Sequence, residues 1–275
     1  DNEHIIDGTQ IVLTASKTVD GREPAEGEVF TFTLEGEDFA QTKQNAGGTV
    51  TFDPILYTEE DVGEHVYTIT EQAQAGYMTD PSVYTVTVTV IVGEDYALNA
   101  QITSIKRNGA EADTVLFENT IPETEIRLTA RKTVNGDAPA AGEVFTFRLT
   151  GEGVDMTASN VGGEIVFDPI GYTGRDAGRR FTYTIREEAA EGYITDETVY
   201  TVTVAVEQNA DGSLAARVEQ IRCDAGNAET MLFRNEREKE DVVPKTGDES
   251  MLMLYALLCL GAAAGFVLMS RRRTA

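Results

Sequence analysis

Six polar residues stand where strand alternation calls for hydrophobes: Lys17, Glu71 and Asn119, and again Lys132, Glu187 and Asn235. An unpaired ammonium in an apolar core is costly. Burial therefore lowers a lysine's pKa and raises a glutamic acid's. A lysine amine without its extra proton is a nucleophile, and an asparagine carboxamide is an acyl centre. A glutamic acid between them polarises the carbonyl and then moves protons, which is general acid–base work done once. The product is an amide between lysine Nζ and the asparagine side chain, with ammonia leaving. Folding supplies the proximity that so sluggish an acyl transfer needs. The plainer alternative is a buried Lys–Glu ion pair with an amide hydrogen-bonded beside it. Such a pair costs desolvation and returns little net stability, so its occurrence twice in one register is unexpected on that alternative.

The elements that must position these side chains come in two copies. Residues 11–37, IVLTASKTVDGREPAEGEVFTFTLEGE, return as residues 126–152, IRLTARKTVNGDAPAAGEVFTFRLTGE. A repeat of this kind marks two versions of one unit. In the first copy the two-residue strand period puts Leu13, Ala15, Lys17 and Val19 on one face, Tyr67, Ile69 and Glu71 on another, and Val115, Phe117 and Asn119 on a third. The second copy repeats this with Leu128, Ala130, Lys132 and Val134, then Tyr183, Ile185 and Glu187, then Met231, Phe233 and Asn235. Glu188 is a rival to Glu187, but its phase points outward. One extra residue enters between Gly178 and Tyr183, where a hairpin loop absorbs it without changing the inward phase.

Further strands are expected at residues 28–36, 50–54, 83–90 and 97–106, with residues 39–48 and 56–63 as loops. Eight or so short strands per unit and almost no helical periodicity give an all-β chain of two tandem immunoglobulin-like β-sandwiches. The pattern alone leaves the strand order open. The expected divisions are a lead-in at 1–10, a first domain at 11–119, a short joint at 120–125 and a second domain at 126–235. A linker at 236–250, a transmembrane helix at 251–269 and a basic tail at 270–275 follow.

The 275 residues carry a formal charge of -25, which argues against binding a nucleic-acid backbone and suits a self-repelling surface protein facing water. Cys223 and Cys259 are the only cysteines, so no disulfide framework staples the domains. His4 and His65 have no ligand-spaced partners, Cys223 has no base beside it, and no glycine-rich phosphate loop appears. Neither a metal site, a cofactor nor an enzyme acting on an external substrate is expected. Met251 to Met269 form a nineteen-residue run without charge, about enough to cross a bilayer, and Arg271, Arg272 and Arg273 follow. That order places the tail inside and everything before it outside. The sequence starts at Asp1 without a visible signal peptide and reads as a mature or truncated chain.

Lys17 and Asn119 lie at opposite ends of the first domain, so their bond would close almost all of it into one loop. By the chain-entropy argument used for disulfides, closing about 100 residues contributes on the order of 5 kcal/mol. It would also lock the first strand to the last, so that a pull on the termini bypasses most of the fold.

These stretches resemble the isopeptide-forming, immunoglobulin-like domains of Gram-positive pilins and related surface proteins. LTASKTVDG and LTARKTVNG match the family's lysine strand, YTITE and YTIRE its glutamate strand, and LFEN and LFRN its closing strand. FDPILYTEEDVG and GYMTDPSVYTVTV, with FDPIGYTGRDAG and GYITDETVYTVTV, also follow the pattern. The resemblance implies bonds from Lys17 to Asn119 and from Lys132 to Asn235, with Glu71 and Glu187 as the catalysts. Val243, Pro244, Lys245, Thr246 and Gly247, ahead of the apolar run and the arginines, are similar to the cell-wall sorting signal read by sortases. On that resemblance the cut falls between Thr246 and Gly247, although the family's usual first residue is leucine.

The expected protein is a wall-anchored structural element, either a pilus subunit or the stalk of an adhesin. Its expected partners are a sortase and either a peptidoglycan precursor or another subunit. Lys43, Lys106 and Lys239 are the candidate acceptors for a subunit linkage, though none sits in a stretch that matches the family's polymerising motif, which favours the stalk. The competing reading is a module that binds a host surface ligand through the loops at residues 39–48 or 91–97.

Overall fold

Alternating β-branched or aromatic residues with threonine builds two-faced strands, and Val83–Val92 shows how. Tyr84, Val86, Val88 and Val90 are buried while the threonines between them face partly outward. The computed structural model describes residues 8–239 apart from 38 and 95, and in it such strands form two β-sandwiches in tandem within one compact unit.

In the first domain the order across the layers is Ala110–Glu111, Leu98–Arg107, Val83–Val92, Gly63–Glu71, Thr31–Glu35, Ala40–Ala46, Thr49–Thr51, Thr14–Val19 and Leu116–Asn119. The core between the layers holds Leu13, Phe30, Phe32, Val50, Ile69 and Phe117 among others. The first long strand and the last are neighbours and run parallel, with Lys17 opposite Phe117 and Val19 opposite Asn119. The second domain repeats this: Thr129–Val134 pairs in parallel with Leu232–Arg237, with Lys132 opposite Phe233 and Val134 opposite Asn235.

Residues 39–48 are not a loop, contrary to the expectation from sequence. Ala40–Ala46 is a strand that pairs with Thr31–Glu35 along most of its length and with Thr49–Thr51 at its end. Its side chains are small or polar, so it carries no hydrophobic alternation to announce it. Backbone pairing on both sides and one buried amide hold it instead. Asn45 Oδ1 accepts from Phe30 N–H at 2.6 Å, and its Nδ2 donates to the carbonyls of Glu28 and Gly47 at 3.1 and 2.8 Å. Asn160 makes the same three bonds in the second domain. The expected loop at 56–63 likewise contains structure. Ile55–Tyr57 pairs with Thr9–Ile11, and a short 3-10 turn follows at Glu59–Asp61, where the Asp61 carboxylate accepts from Thr58 N–H at 2.7 Å.

The chain between the domains is held at both ends. Thr120 pairs back to Met78, and Glu123–Ile126 is already a strand of the second domain, paired with Ile170–Thr173. Gln208 reaches across, accepting from Gly76 N–H at 2.9 Å and donating to the Tyr77 carbonyl at 2.8 Å. Arg175 meets Glu28 at 2.9 Å, a carboxylate that also accepts from the Tyr77 hydroxyl. Gly174 packs so closely on the Gly76 carbonyl that no Cβ fits there.

No helix among the described residues is long and apolar enough to cross a membrane. His4, Cys259, the motif from Val243 to Gly247, the expected span at 251–269 and the basic tail lie outside the described residues.

Candidate functional site

Each domain brings its lysine, glutamate and asparagine together in the core. Lys17 and Lys132 sit on the fourth residue of their strands, at a position that alternation turns inward, and each is 1% exposed. Glu71 and Glu187 end the strands Gly63–Glu71 and Arg180–Glu187, and both side chains are fully buried. Asn119 and Asn235 follow Phe117 and Phe233 by one strand period and are equally buried. Glu188 is only half-buried, with its backbone N–H on the Thr146 carbonyl.

The glutamate is shared. In the second domain Lys132 Nζ donates to Glu187 Oε2 at 2.8 Å, and Asn235 Nδ2 donates to Oε1 at 2.6 Å. In the first domain Asn119 Nδ2 donates to Glu71 Oε1 at 2.6 Å, and Lys17 Nζ stands 3.2 Å from Oε2. That second contact lies in ion-pair range but lacks hydrogen-bond alignment, so Glu71 Oε2 has no hydrogen-bond donor, and Lys17 donates to the Phe117 carbonyl at 3.5 Å instead.

The walls are aromatic. Lys17 Nζ lies 4.7 Å from the Phe30 ring centroid and Lys132 Nζ 4.7 Å from that of Phe145. Phe117 packs against Phe32 and Tyr84, and Phe233 against Phe147 and Tyr200. In such surroundings charge is disfavoured on both partners. Burial pushes the Lys17 and Lys132 amines below the usual lysine range, against the attraction of the adjacent glutamate. Burial pushes Glu71 and Glu187 above the usual carboxylic range, against the lysine and the asparagine hydrogen bond. Both shifts favour a neutral amine beside a neutral acid, the protonation states that nucleophilic attack on a carboxamide requires.

Two further residues join the clusters that reasoning from the sequence missed. The glutamate meets the carboxamide nitrogen and not the carbonyl that it was expected to polarise. At that carbonyl the backbone N–H of Asp80 donates to Asn119 Oδ1 at 2.8 Å, and that of Asp196 to Asn235 Oδ1 at 2.9 Å. The signal available was the recurrence of Thr-Asp ahead of each Val-Tyr-Thr-Val strand.

The remaining reactive side chains lie elsewhere. His65 stacks on Tyr57 with its centroid 5.0 Å away, as Phe181 does on Tyr172, so this histidine holds an aromatic packing position. Cys223 is half-buried at the end of Leu214–Cys223. Lys43 pairs with Asp53 at 2.7 Å and Lys106 with Glu111 at 3.5 Å, while Lys239 is exposed.

A family model, FctA, the Spy0128-like isopeptide containing domain, matches residues 13–121 and again 128–238. The major pilin of Streptococcus pyogenes is 16% identical over 84% of this chain and 99% of its own, with a TM-score of 0.36. The T-13 major pilin of the same species is 15% identical over 85% of this chain and all of its own, with a TM-score of 0.40. The pilus adhesin SpaC of Lactobacillus rhamnosus GG is 13% identical over 83% of this chain and 43% of its own, with a TM-score of 0.29. No curated protein gives a significant match.

Proposed function

Because this chain belongs to the FctA family of Spy0128-like isopeptide containing domains, we propose that it is a tension-bearing segment of a cell-surface structure whose two domains each close themselves with one Lys–Asn amide. The family is structural and not enzymatic, and the chemistry proposed here runs once per domain with no turnover.

The observation that carries the reading is the shared carboxyl group. One glutamate oxygen faces the lysine Nζ and the other faces the asparagine Nδ2, in both domains and in the same register. A plain buried ion pair needs no carboxamide at the second oxygen. The bonds would join Lys17 to Asn119 and Lys132 to Asn235, with Glu71 and Glu187 moving the protons.

The surface assignment extends this reading. With the Val243–Gly247 motif, the apolar run and the arginines behind it, the chain suits attachment by a sortase at Thr246 to the Gram-positive cell wall or to another pilus subunit. None of Lys43, Lys106 and Lys239 sits in a stretch that matches a polymerising lysine motif, which supports a wall-proximal stalk over a polymerising shaft. The decisive experiment is the intact mass of the chain. A deficit of two ammonia masses is expected, with tryptic peptides cross-linked at Lys17–Asn119 and Lys132–Asn235. The full calculated mass overturns the reading.

A further inference from the structure

One aspartate in each domain meets the asparagine carboxamide through its backbone N–H and the closing strand just before that asparagine through its carboxylate. Asp80 donates its backbone N–H to Asn119 Oδ1. Its carboxylate accepts from the N–H of Glu118, the residue just before that asparagine, at 3.1 Å, from Ser82 N–H at 2.9 Å and from Arg107 at 3.0 Å. In the second domain Asp196 donates to Asn235 Oδ1, while its carboxylate accepts from the N–H of Arg234 at 2.7 Å and of Thr198 at 2.9 Å. A backbone N–H only donates, so the atom it meets is the carboxamide oxygen. Negative charge develops on that oxygen when an amine adds to the carbon, and a fixed donor aimed at it lowers the barrier.

We propose that the backbone N–H groups of Asp80 and Asp196 are the oxyanion donors for closure of the two domains, and that each aspartate carboxylate is the positioning group that aims its own N–H. The proposal rests on the bond-forming reading of the clusters. The lysine Nζ lone pair forms the new N–C bond at Cγ, and the carbonyl π pair moves onto Oδ1, where the aspartate N–H receives it. The glutamic acid takes a proton from Nζ through Oε2 and returns one to Nδ2 through Oε1. The C–Nδ2 bond then breaks, ammonia leaves with the electron pair, and the carbonyl re-forms. One amine and one carboxamide give one amide and one ammonia.

The aspartate charge has a second effect. Glu187 is faced by Lys132 from the lysine strand, Asn235 from the closing strand and Asp196 from the loop, and the Asp196 charge raises both Glu187 and Lys132. Its loss moves both limbs of the pH–rate profile to lower pH. Disturbed packing alone has no reason to do so.

The test uses the full chain assembled by chemical ligation in denaturant, so that no amide has formed beforehand, and then diluted into refolding buffer across a pH series. Ammonia loss is followed by intact mass, and digestion assigns each loss to a domain. In Asp196→Ala the second domain is expected to close about tenfold more slowly or worse, with its profile displaced to lower pH, while the first domain keeps the parent rate as an internal control. Asp196→Asn keeps the side-chain volume and an acceptor for Thr198, and is expected to show the same displacement. It decides the matter if the alanine variant fails to fold. Closure of the Asp196→Asn second domain at the parent rate, or slower closure with an unmoved profile, overturns the proposal. A parent that loses no ammonia overturns the bond-forming reading beneath it, so the two failures are distinct.

Discussion

Lys132 and Asn235 lie on adjacent parallel strands, Lys132 opposite Phe233 and Asn235 two residues further on, and each meets its own oxygen of the Glu187 carboxyl. The relationship depends on topology. Pairing the first long strand in parallel with the last brings residues from opposite ends of the domain side by side, and the glutamate strand in the facing layer supplies the acid between them. Position along the chain and position in the fold are thus decoupled, as a cross-link that spans the whole domain requires.

Glutamine in place of either glutamate keeps the volume and one acceptor but cannot relay a proton. Glu71→Gln is expected to remove one ammonia loss and leave the second domain closed, and Glu187→Gln to do the converse. The opened domain also forgoes the restriction of its unfolded state, on the order of 5 kcal/mol for a loop of about 100 residues. Its calorimetric transition is expected well below that of the closed partner. A full two-ammonia deficit in either variant would show that the glutamates are dispensable.

Removing the lysine exposes the pH dependence of the buried acid. In Lys132→Met no bond forms in the second domain, and Glu187 stays buried with its pKa raised by desolvation, having lost the lysine that opposed the shift. A raised acid binds its proton more tightly in the folded state than in the unfolded one. Its stabilising contribution is complete below the ordinary glutamate range and is lost as pH rises through the raised value. Urea midpoints for this domain are therefore expected to fall as pH climbs from the ordinary glutamate range towards neutrality. Midpoints that hold level or rise across that interval contradict a buried neutral acid.

The joint between the domains makes its own prediction. The turn at Gly174–Asp176 corresponds to Glu59–Asp61 in the first copy, so glycine and arginine replace two glutamates where the preceding domain docks. A side chain at Gly174 would run into the Gly76 carbonyl and stand 2.8 Å from Pro122 Cδ. Reversing the charge of Arg175 would set it against Glu28, which it now meets at 2.9 Å. Gly174→Val and Arg175→Glu are expected to loosen the joint, seen as broadened small-angle scattering distance distributions and faster proteolysis near Thr120, with both ammonia losses retained. Unchanged scattering in both variants would mean that the chain trace alone sets the joint.

Much of this was legible in the sequence because the lysine, glutamate and asparagine interrupt otherwise regular hydrophobic faces. Lys17 follows Leu13 and Ala15 on one face, and Glu71 follows Tyr67 and Ile69, so periodicity alone turns them inward. Ala40–Ala46 was illegible for the opposite reason. Its stability comes from backbone pairing and from Asn45, and a run of polar side chains looks the same in a strand as in a loop. Asp80 and Asp196 act through backbone N–H groups, which every residue but proline has. Only their recurrence and the geometry reveal them. The strand Leu116–Asn119 was visible, but its parallel pairing with Thr14–Val19 was not, since alternation fixes faces and leaves neighbours open.

The proposed bonds have a mechanical consequence. Force applied at the N-terminal side passes the short Thr9–Ile11 pairing, reaches Thr14–Val19 and leaves through Leu116–Asn119, and an amide from Lys17 to Asn119 would carry it across without loading the sheets between. The same path would run from Lys132 to Asn235 in the second domain. Only the chain outside the two loops, residues 120–131 between them included, would then be free to extend. An opened domain releases about 100 residues, or about 350 Å of contour. In single-molecule stretching the parent is expected to show no step of that size, and Glu71→Gln to show one. The double variant Glu71→Gln with Glu187→Gln is expected to show two. Two full-length steps in the parent would mean that force runs through the hydrogen-bonded strands after all, and the tension-bearing role would fall with them.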